Sequence, residues 1–163
     1  MKAILAIIQM LISFPVLASD PRPFVQGSWQ ELRQQHSGRP MVVHFWGLTC
    51  GPCLIELPQW GKLLRERPNV DIVMIAADPV LDEPGAINGA LSRAGCSGVE
   101  SWMFADGFAE RLIYEVDPQW AGELPYTLLI GRDGSATTKL GIVDFSEIRN
   151  WVGRQSGETP RDR

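Results

Sequence analysis

Two cysteines in a Cys-x-x-Cys spacing, Cys50 and Cys53, separate an apolar segment from a helical pattern, and this junction constrains the fold more than any other feature. Residues 41–46, "MVVHFW", are apolar, β-branched or aromatic, apart from one histidine, which is typical of a buried strand. Residues 53–67 carry apolar side chains at helical spacing. The order strand, cysteine pair, helix predicts an α/β sheet with its chemistry beyond the carboxyl end of this strand.

Strand and helix patterns alternate along the rest of the chain. The predicted elements are a helix within 27–40, strands at 70–78 and 101–106, helices at 84–95 and 107–116, a hairpin within 125–143 turning at Arg132-Asp133-Gly134, and a helix at 145–155. The sequence therefore predicts one α/β domain with a mixed central sheet and helices on both faces.

The first eighteen residues, "MKAILAIIQMLISFPVLA", have the pattern of a secretory signal peptide, with Lys2, an apolar run and a cleavage position after Ala18. A membrane anchor is the alternative, but the run is shorter than the roughly 20 residues that span a bilayer. We expect a signal peptide at 1–18, one domain at 19–156 and a flexible polar tail at 157–163. The expected location is the periplasm or another extracytoplasmic space.

The net charge of −4 becomes −5 when the signal peptide with Lys2 is removed, and no basic patch suits nucleic acid. Exported compartments are oxidising, so disulfides persist there. The three cysteines, Cys50, Cys53 and Cys96, cannot all pair within one chain. Cys96 is expected to be a free or buried thiol; a regulatory or intermolecular disulfide is the alternative.

A thiol at a helix N-terminus faces unpaired backbone N–H groups and the positive end of the helix dipole, and both favour the thiolate. Cys50 is therefore the expected nucleophile, and Cys53, one turn inside the helix, the resolving thiol. Proline is tolerated in a first helical turn and glycine admits a partner's backbone, so Pro52 and Gly51 fit this arrangement.

Other uses of the pair are less well supported by the residues. A disulfide that closes so small a loop removes little entropy from the unfolded chain, which argues against a structural bridge. Structural zinc needs four ligands, and the remaining candidates, Cys96, His36 and His44, are not paired at ligand spacing. Copper stays open, since two thiolates and a histidine satisfy a soft ion.

The segments "MVVHFWGLTCGPC", "LIELP" and "GELPYTLLIGRDG" resemble the thioredoxin superfamily, in particular its exported TlpA/ResA/CcmG (DsbE)-like members. The similarity runs from Val42 to Trp151 and implies a thioredoxin-like fold. The interval between Cys53 and Pro125 holds about one βα unit, roughly 30 residues, beyond what thioredoxin needs, and the exported branch carries such an insertion.

The resemblance also implies roles for individual residues. Pro125 would follow a cis peptide bond and, with Leu124 and Trp46, form a surface for docking an extended client, to which Gly51 and Pro52 contribute. Glu56, on the helical face of Cys53, would raise nearby thiol pKa values and relay a proton. His44 occupies the strand where thioredoxin has a buried aspartate and is a second possible proton acceptor for Cys53; sequence spacing does not rank the two.

The implied activity is that of a protein-disulfide reductase whose only redox group is the Cys50–Cys53 couple, with no organic cofactor and no metal. Its clients would be proteins with thiols or disulfides, such as apocytochrome c or copper-site proteins, and its electrons would come from a membrane protein of the DsbD/CcdA type. A monomer is expected. The alternatives are a protein disulfide oxidant or isomerase, with a higher reduction potential, and a copper-handling module.

Overall fold

The computed structural model describes residues 20–66, 69–78, 83–105 and 107–156. Strands and helices follow one another in nearly strict alternation. The elements are β1 (Arg22–Phe24), α1 (Ser28–Gln35), β2 (Met41–Trp46), α2 (Gly51–Arg65), β3 (Asp71–Ala76), α3 (Pro84–Arg93), β4 (Glu100–Phe104), α4 (Ala109–Val116), β5 (Tyr126–Ile130), β6 (Ala136–Leu140) and α5 (Phe145–Ser156).

The described strands form one mixed sheet in the order β1-β4-β3-β2-β5-β6. The first four in this order run parallel to one another, and β5 and β6 are antiparallel additions joined as the predicted hairpin. Two strand–helix units, β3–α3 and β4–α4, separate α2 from β5. The predicted mixed sheet and extra βα unit are confirmed, and the extra strand β4 lies between β3 and β1.

Each face of the sheet has its own apolar core, because alternate side chains of a strand point to opposite faces. Val42 and Trp46 of β2 pack with α2, α3 and α5 on one face. Val43 and Phe45 pack with α1 and α4 on the other. Every residue of β2 is buried, so this strand is fixed from both sides just before the chain reaches the cysteine pair.

Some predicted bounds are too long at strand and helix ends. The strand predicted at 70–78 ends at Ala76, so Asp78 belongs to the connection after β3. The helix predicted at 84–95 ends at Arg93, because Gly95 turns the chain with a φ of 77°. Both differences fall at helix or strand ends, where sequence patterns are least informative.

The predicted signal peptide at 1–18 and polar tail at 157–163 lie outside the described residues. Within the part of the chain that is described, no helix combines the length and the apolar character needed to cross a membrane.

His36 joins three elements at the end of the sheet opposite the cysteine pair. Its imidazole is 8 % exposed, with Nδ1 2.7 Å from Asp71 Oδ2 and Nε2 3.0 Å from Glu100 Oε2. Since α1 ends next to His36 while β3 and β4 begin at these two carboxylates, the contact holds α1 against the sheet. His36, considered above as a zinc ligand, thus has both ring nitrogens engaged with carboxylates.

Replacing Gly61 by alanine is expected to lower the free energy of unfolding by about 3 kcal/mol, because helix α2 passes the chain after α3 without room for a side chain. A Cβ at Gly61 would lie 1.9 Å from the backbone oxygen of Ala94, which cannot move as a side-chain tip can. Gly85→Ala in α3 is the matched control, since nothing lies within 4 Å of its Cβ position. The control should be neutral or stabilising by about 0.5–1 kcal/mol in urea unfolding; equal effects of both changes would contradict the predicted clash.

Candidate functional site

The cysteine pair lies at the junction between β2 and α2, as predicted. Cys50 is the N-cap of α2, in an extended backbone conformation, and its Sγ accepts the backbone N–H of Cys53 at 3.2 Å. Pro52 occupies the first turn, where its missing N–H costs no helical hydrogen bond. The two sulfurs form a disulfide with the Cα atoms 5.2 Å apart. The helix N-terminus is therefore directed at the Cys50 sulfur.

Burial separates the two cysteines. Cys53 is 0 % exposed and belongs to the core under α2, whereas Cys50 is half-buried at the surface. An incoming disulfide or thiol can reach only the outer sulfur without opening the core. This supports Cys50 as the attacking group and Cys53 as the group that resolves from inside.

The Leu124–Pro125 peptide bond is cis, as predicted from the resemblance. Tyr126 pairs with Phe45 across β5 and β2, so the cis corner runs beside the end of the cysteine-bearing strand. Gly47 brings the two segments together: a Cβ there would lie 3.3 Å from Leu124 Cδ1, and its carbonyl accepts the N–H of Cys50 at 3.3 Å. The cis corner thus lies directly beside the cysteine turn.

The predicted docking surface needs two corrections, at Trp46 and at Pro125, which is also buried. Trp46 is 0 % exposed and packs in the core beneath the turn, because its position in β2 faces α2, so it cannot touch a client directly. Gly51 and Pro52 are exposed, and Leu124 is half-buried at the cis corner. These three residues, with the outer cysteine, make up the accessible part of the predicted surface.

Glu56 lies one helical turn after Cys53, and both are on the buried face of α2. Its side chain is 2 % exposed; Oε1 accepts the Val143 N–H at 3.3 Å, and Oε2 has no hydrogen-bond partner. Burial raises the pKa of Glu56 to about 7. The Val143 N–H and the nearby Trp60 indole partly oppose this rise, although the indole N–H makes no hydrogen bond to the carboxyl. The carboxyl can therefore take up and give back a proton near neutral pH.

His44 lies on the same face of the sheet, with its ring 4.8 Å from that of Trp60. Nδ1 is 2.9 Å from Thr127 Oγ1, and Nε2 is buried without a hydrogen-bond partner. Burial of the imidazole lowers the pKa of His44 to about 3, so the ring is neutral and a weak base at neutral pH. Of the two candidate proton acceptors that the sequence left equal, burial makes Glu56 the stronger base.

A contact that sequence reasoning missed fixes the turn before Cys50. Asp78 Oδ2 accepts the backbone N–H of Thr49 at 3.1 Å and also the Thr49 hydroxyl. Asp78 is 7 % exposed and follows β3, whose carboxyl end is at the same sheet edge as that of β2. A carboxylate at the end of a predicted strand was a usable signal for this role, whereas nothing near Thr49 indicated its partner.

Cys96 stands apart from this site. It is 1 % exposed, its Sγ is 3.7 Å from the Leu57 carbonyl oxygen, and burial raises the pKa of its thiol to about 11, an effect that nearby Arg65 partly offsets. Such a thiol is unreactive, which agrees with the expected buried, free cysteine. Among the described residues, no three His, Cys, Asp or Glu side chains are grouped so as to hold a metal ion.

Comparison with solved structures gives many chains of the same fold. A secreted Mycobacterium tuberculosis disulfide oxidoreductase, described as homologous to E. coli DsbE, is 22% identical over 74% of this chain and 85% of its own, with a TM-score of 0.60. A thioredoxin-related protein from Neisseria meningitidis serogroup B is 24% identical over 77% and 90%, with a TM-score of 0.56. StoA from Bacillus subtilis is 21% identical over 71% and 83%, with a TM-score of 0.55.

No protein-family model and no curated protein sequence matches the chain. The similarity is therefore one of fold, and these structures confirm the thioredoxin-like architecture predicted from the sequence. Because the identities are low, the activity must be argued from the site itself.

Proposed function

We propose that this chain, which has the thioredoxin-like fold, is an exported thiol-disulfide oxidoreductase that reduces disulfides of client proteins. The observation that carries the proposal is the disulfide between Cys50 at the N-cap of α2 and the fully buried Cys53. An accessible sulfur in the field of a helix N-terminus and a protected partner one turn inside are the two parts that thiol–disulfide exchange requires.

The reaction follows from this arrangement. In the reduced protein the Cys50 thiolate attacks one sulfur of a client disulfide; a Cys50–client bond forms, the client S–S bond breaks, and the second client sulfur leaves as a thiolate that takes a proton. The Cys53 thiolate then attacks Cys50, restoring the disulfide and releasing the first client sulfur as a thiol. Two electrons pass from the cysteine pair to the client, and no further cofactor takes part.

Glu56 serves the second step. Cys53 is buried, and a buried thiol resists ionisation because the thiolate loses its hydration. A carboxylate one turn away, with a pKa of about 7, accepts the Cys53 proton as Cys53 attacks and returns it afterwards. His44 takes no proton in this scheme, because its pKa of about 3 leaves it far weaker as a base.

Reduction is the proposed direction because the Gly51-Pro52 dipeptide between the cysteines resembles that of reducing thioredoxins. An exported reductant also needs electrons from across a membrane, so the proposed donor is a membrane protein of the DsbD/CcdA type. The protein itself is proposed to act as a monomer in the periplasm or a similar compartment. Apocytochrome c or copper-site proteins are the proposed clients. The secreted protein with the same fold gives independent support for export.

The reduction potential of the Cys50–Cys53 couple is the deciding measurement. Equilibration of residues 19–163 in dithiothreitol buffers, followed by tryptophan fluorescence, should give a value of about −270 mV, as for thioredoxin. A value of about −120 mV, as for strong oxidants, would indicate an enzyme that donates disulfides and not a reductase. Cys96→Ala is the control, because a change in its titration would show that the readout includes the third cysteine.

A further inference from the structure

The connection from α4 to the cis corner, residues 117–123, takes no part in the proposed reaction, yet its contacts converge on that corner. Asp117 Oδ2 accepts the Tyr126 hydroxyl at 2.6 Å, and its Oδ1 accepts the Gln119 N–H at 2.8 Å. The carboxylate therefore ties the start of the connection to the residue after Pro125. Hydrogen bonding to the phenol and to this N–H keeps the pKa of Asp117 below its usual range, so the tie persists at neutral pH.

Trp120 makes the second and more direct set of contacts. It is 6 % exposed, and its Nε1–H donates to the Glu123 carbonyl at 2.9 Å. Its ring lies flat on that of Tyr126, with centroids 4.5 Å apart and planes 6° apart, and it also packs against the Phe45 ring, with centroids 4.8 Å apart. One side chain thus holds the residue before Leu124 and the residue after Pro125.

The hydrogen bond to Glu123 has a consequence for Leu124. The Glu123 carbonyl and the Leu124 N–H belong to one planar peptide group, and in a trans peptide the two point in opposite directions. The cis bond of this corner is the next one, between Leu124 and Pro125. Because Trp120 holds the carbonyl from the core side, the Leu124 N–H is directed away from Trp120, at a residue that is itself half-buried.

We propose that Trp120 is a positioning residue, which sets the Leu124 N–H for pairing with the backbone of an extended client segment. The proposal rests on the proposed function and deepens it, since it makes this indole a determinant of selectivity for polypeptide over small disulfides. Backbone pairing at a fixed corner provides affinity that depends on the direction of each N–H and C=O. Trp120 touches neither the client nor the sulfurs; it acts through the peptide group of Glu123.

The test compares a polypeptide disulfide with one that has no peptide groups. Trp120→Phe keeps an aromatic ring on Tyr126 and removes the N–H donor. With insulin as the substrate and dithiothreitol as the final reductant, we expect kcat/KM to fall about three- to tenfold through KM, the effect of losing one hydrogen bond. The rate of the reduced variant with dithionitrobenzoate and the reduction potential of the cysteine pair should not change.

Trp29→Phe is the matched control, because Trp29 belongs to the same core but lies on α1. It should leave KM for insulin unchanged. Equal losses with insulin and dithionitrobenzoate, or equal effects of the two tryptophan variants, would overturn the proposal while leaving the oxidoreductase intact. If the unaltered protein reduces neither substrate, the proposed function itself fails, and the positioning role with it.

Trp120→Leu is a second variant, needed because the smaller phenyl ring of Trp120→Phe can shift on Tyr126. It removes both the donor and the stacking on Tyr126, so its KM for insulin should exceed that of Trp120→Phe if it folds. The amide chemical shifts of the unreacted proteins give a readout separate from catalysis: the Leu124 N–H resonance should shift in Trp120→Phe, because its peptide group turns, and should stay in place in Trp29→Phe. An unshifted Leu124 resonance in Trp120→Phe would contradict the positioning role.

Discussion

Replacing Cys50 by serine is expected to abolish disulfide reduction, lowering turnover of insulin by at least about a thousandfold. The hydroxyl of serine stays protonated at neutral pH, even at a helix N-terminus, so no nucleophile remains at the accessible position. Cys53 cannot take over the attack, because its side chain is completely buried under α2. The measurement is the rate of insulin reduction with dithiothreitol as the electron source, corrected for the reaction without protein.

Two controls separate this effect from a general loss of structure. Cys53→Ser keeps the accessible thiol and should accumulate a mixed disulfide with a client, visible as a shift on a non-reducing gel, because the resolving step is missing. Cys96→Ala should retain full activity, since this thiol is buried away from the site. Retention of reductase activity by Cys50→Ser would falsify the assignment of the nucleophile.

Replacing Glu56 by glutamine is expected to lower kcat about a hundredfold at pH 8, because a positioned acid–base group typically contributes 10²–10⁴-fold. Glutamine has nearly the same shape and can still accept the Val143 N–H, but it cannot take a proton from Cys53. The wild-type rate should rise through a pH of about 7 as the carboxyl ionises, and this rise should be absent in the variant. His44→Gln, which removes the neutral imidazole, is the comparison and should preserve the rise.

The same substitution should stabilise the protein at alkaline pH. The folded-state pKa of Glu56, about 7, lies above the ordinary value of 4.5, so the native protein holds this proton more tightly than the unfolded chain. The contribution to stability is complete below pH 4.5 and is lost as the pH rises through 7; the shift corresponds to about 3 kcal/mol. Glu56→Gln does not titrate, so its free energy of unfolding at pH 8 should exceed that of the wild type by up to about 3 kcal/mol.

Urea unfolding at pH 4.5 and pH 8 measures this difference. A rise in stability at pH 8 together with a fall in kcat would identify a buried carboxylate retained for catalysis at the expense of stability. If stability at pH 8 falls in the variant while kcat is unchanged, Glu56 is a structural hydrogen-bond acceptor and the proton of Cys53 leaves by another route.

The features predictable from the sequence are those that depend on residues close together in the chain. The apolar run of β2, the helix-starting Gly51-Pro52 between the cysteines, and the turn between β5 and β6 are local patterns, and each gave the correct element. The spacing of Cys50 and Cys53 placed both at the start of α2, which already distinguished an outer from an inner thiol. The cis peptide bond before Pro125 came from the family resemblance instead, because local sequence does not determine the isomer.

Only the tertiary structure decided the properties that depend on burial and on partners distant in the chain, namely pKa values and the exposure of side chains. It gave the two candidate proton acceptors, Glu56 and His44, opposite pKa shifts, because a pKa depends on desolvation and neighbours that spacing does not reveal. It removed Trp46 from the docking surface, since β2 is covered on both faces. The hydrogen bond from Trp120 to Glu123 is local, since it spans three residues. The stacking of Trp120 on Tyr126, in contrast, requires that residues 117–123 fold over Phe45. The outer and inner positions of the two cysteines thus follow from local sequence, whereas the burial of Glu56 and the place of the cis corner beside the cysteine turn depend on packing between segments far apart in the chain.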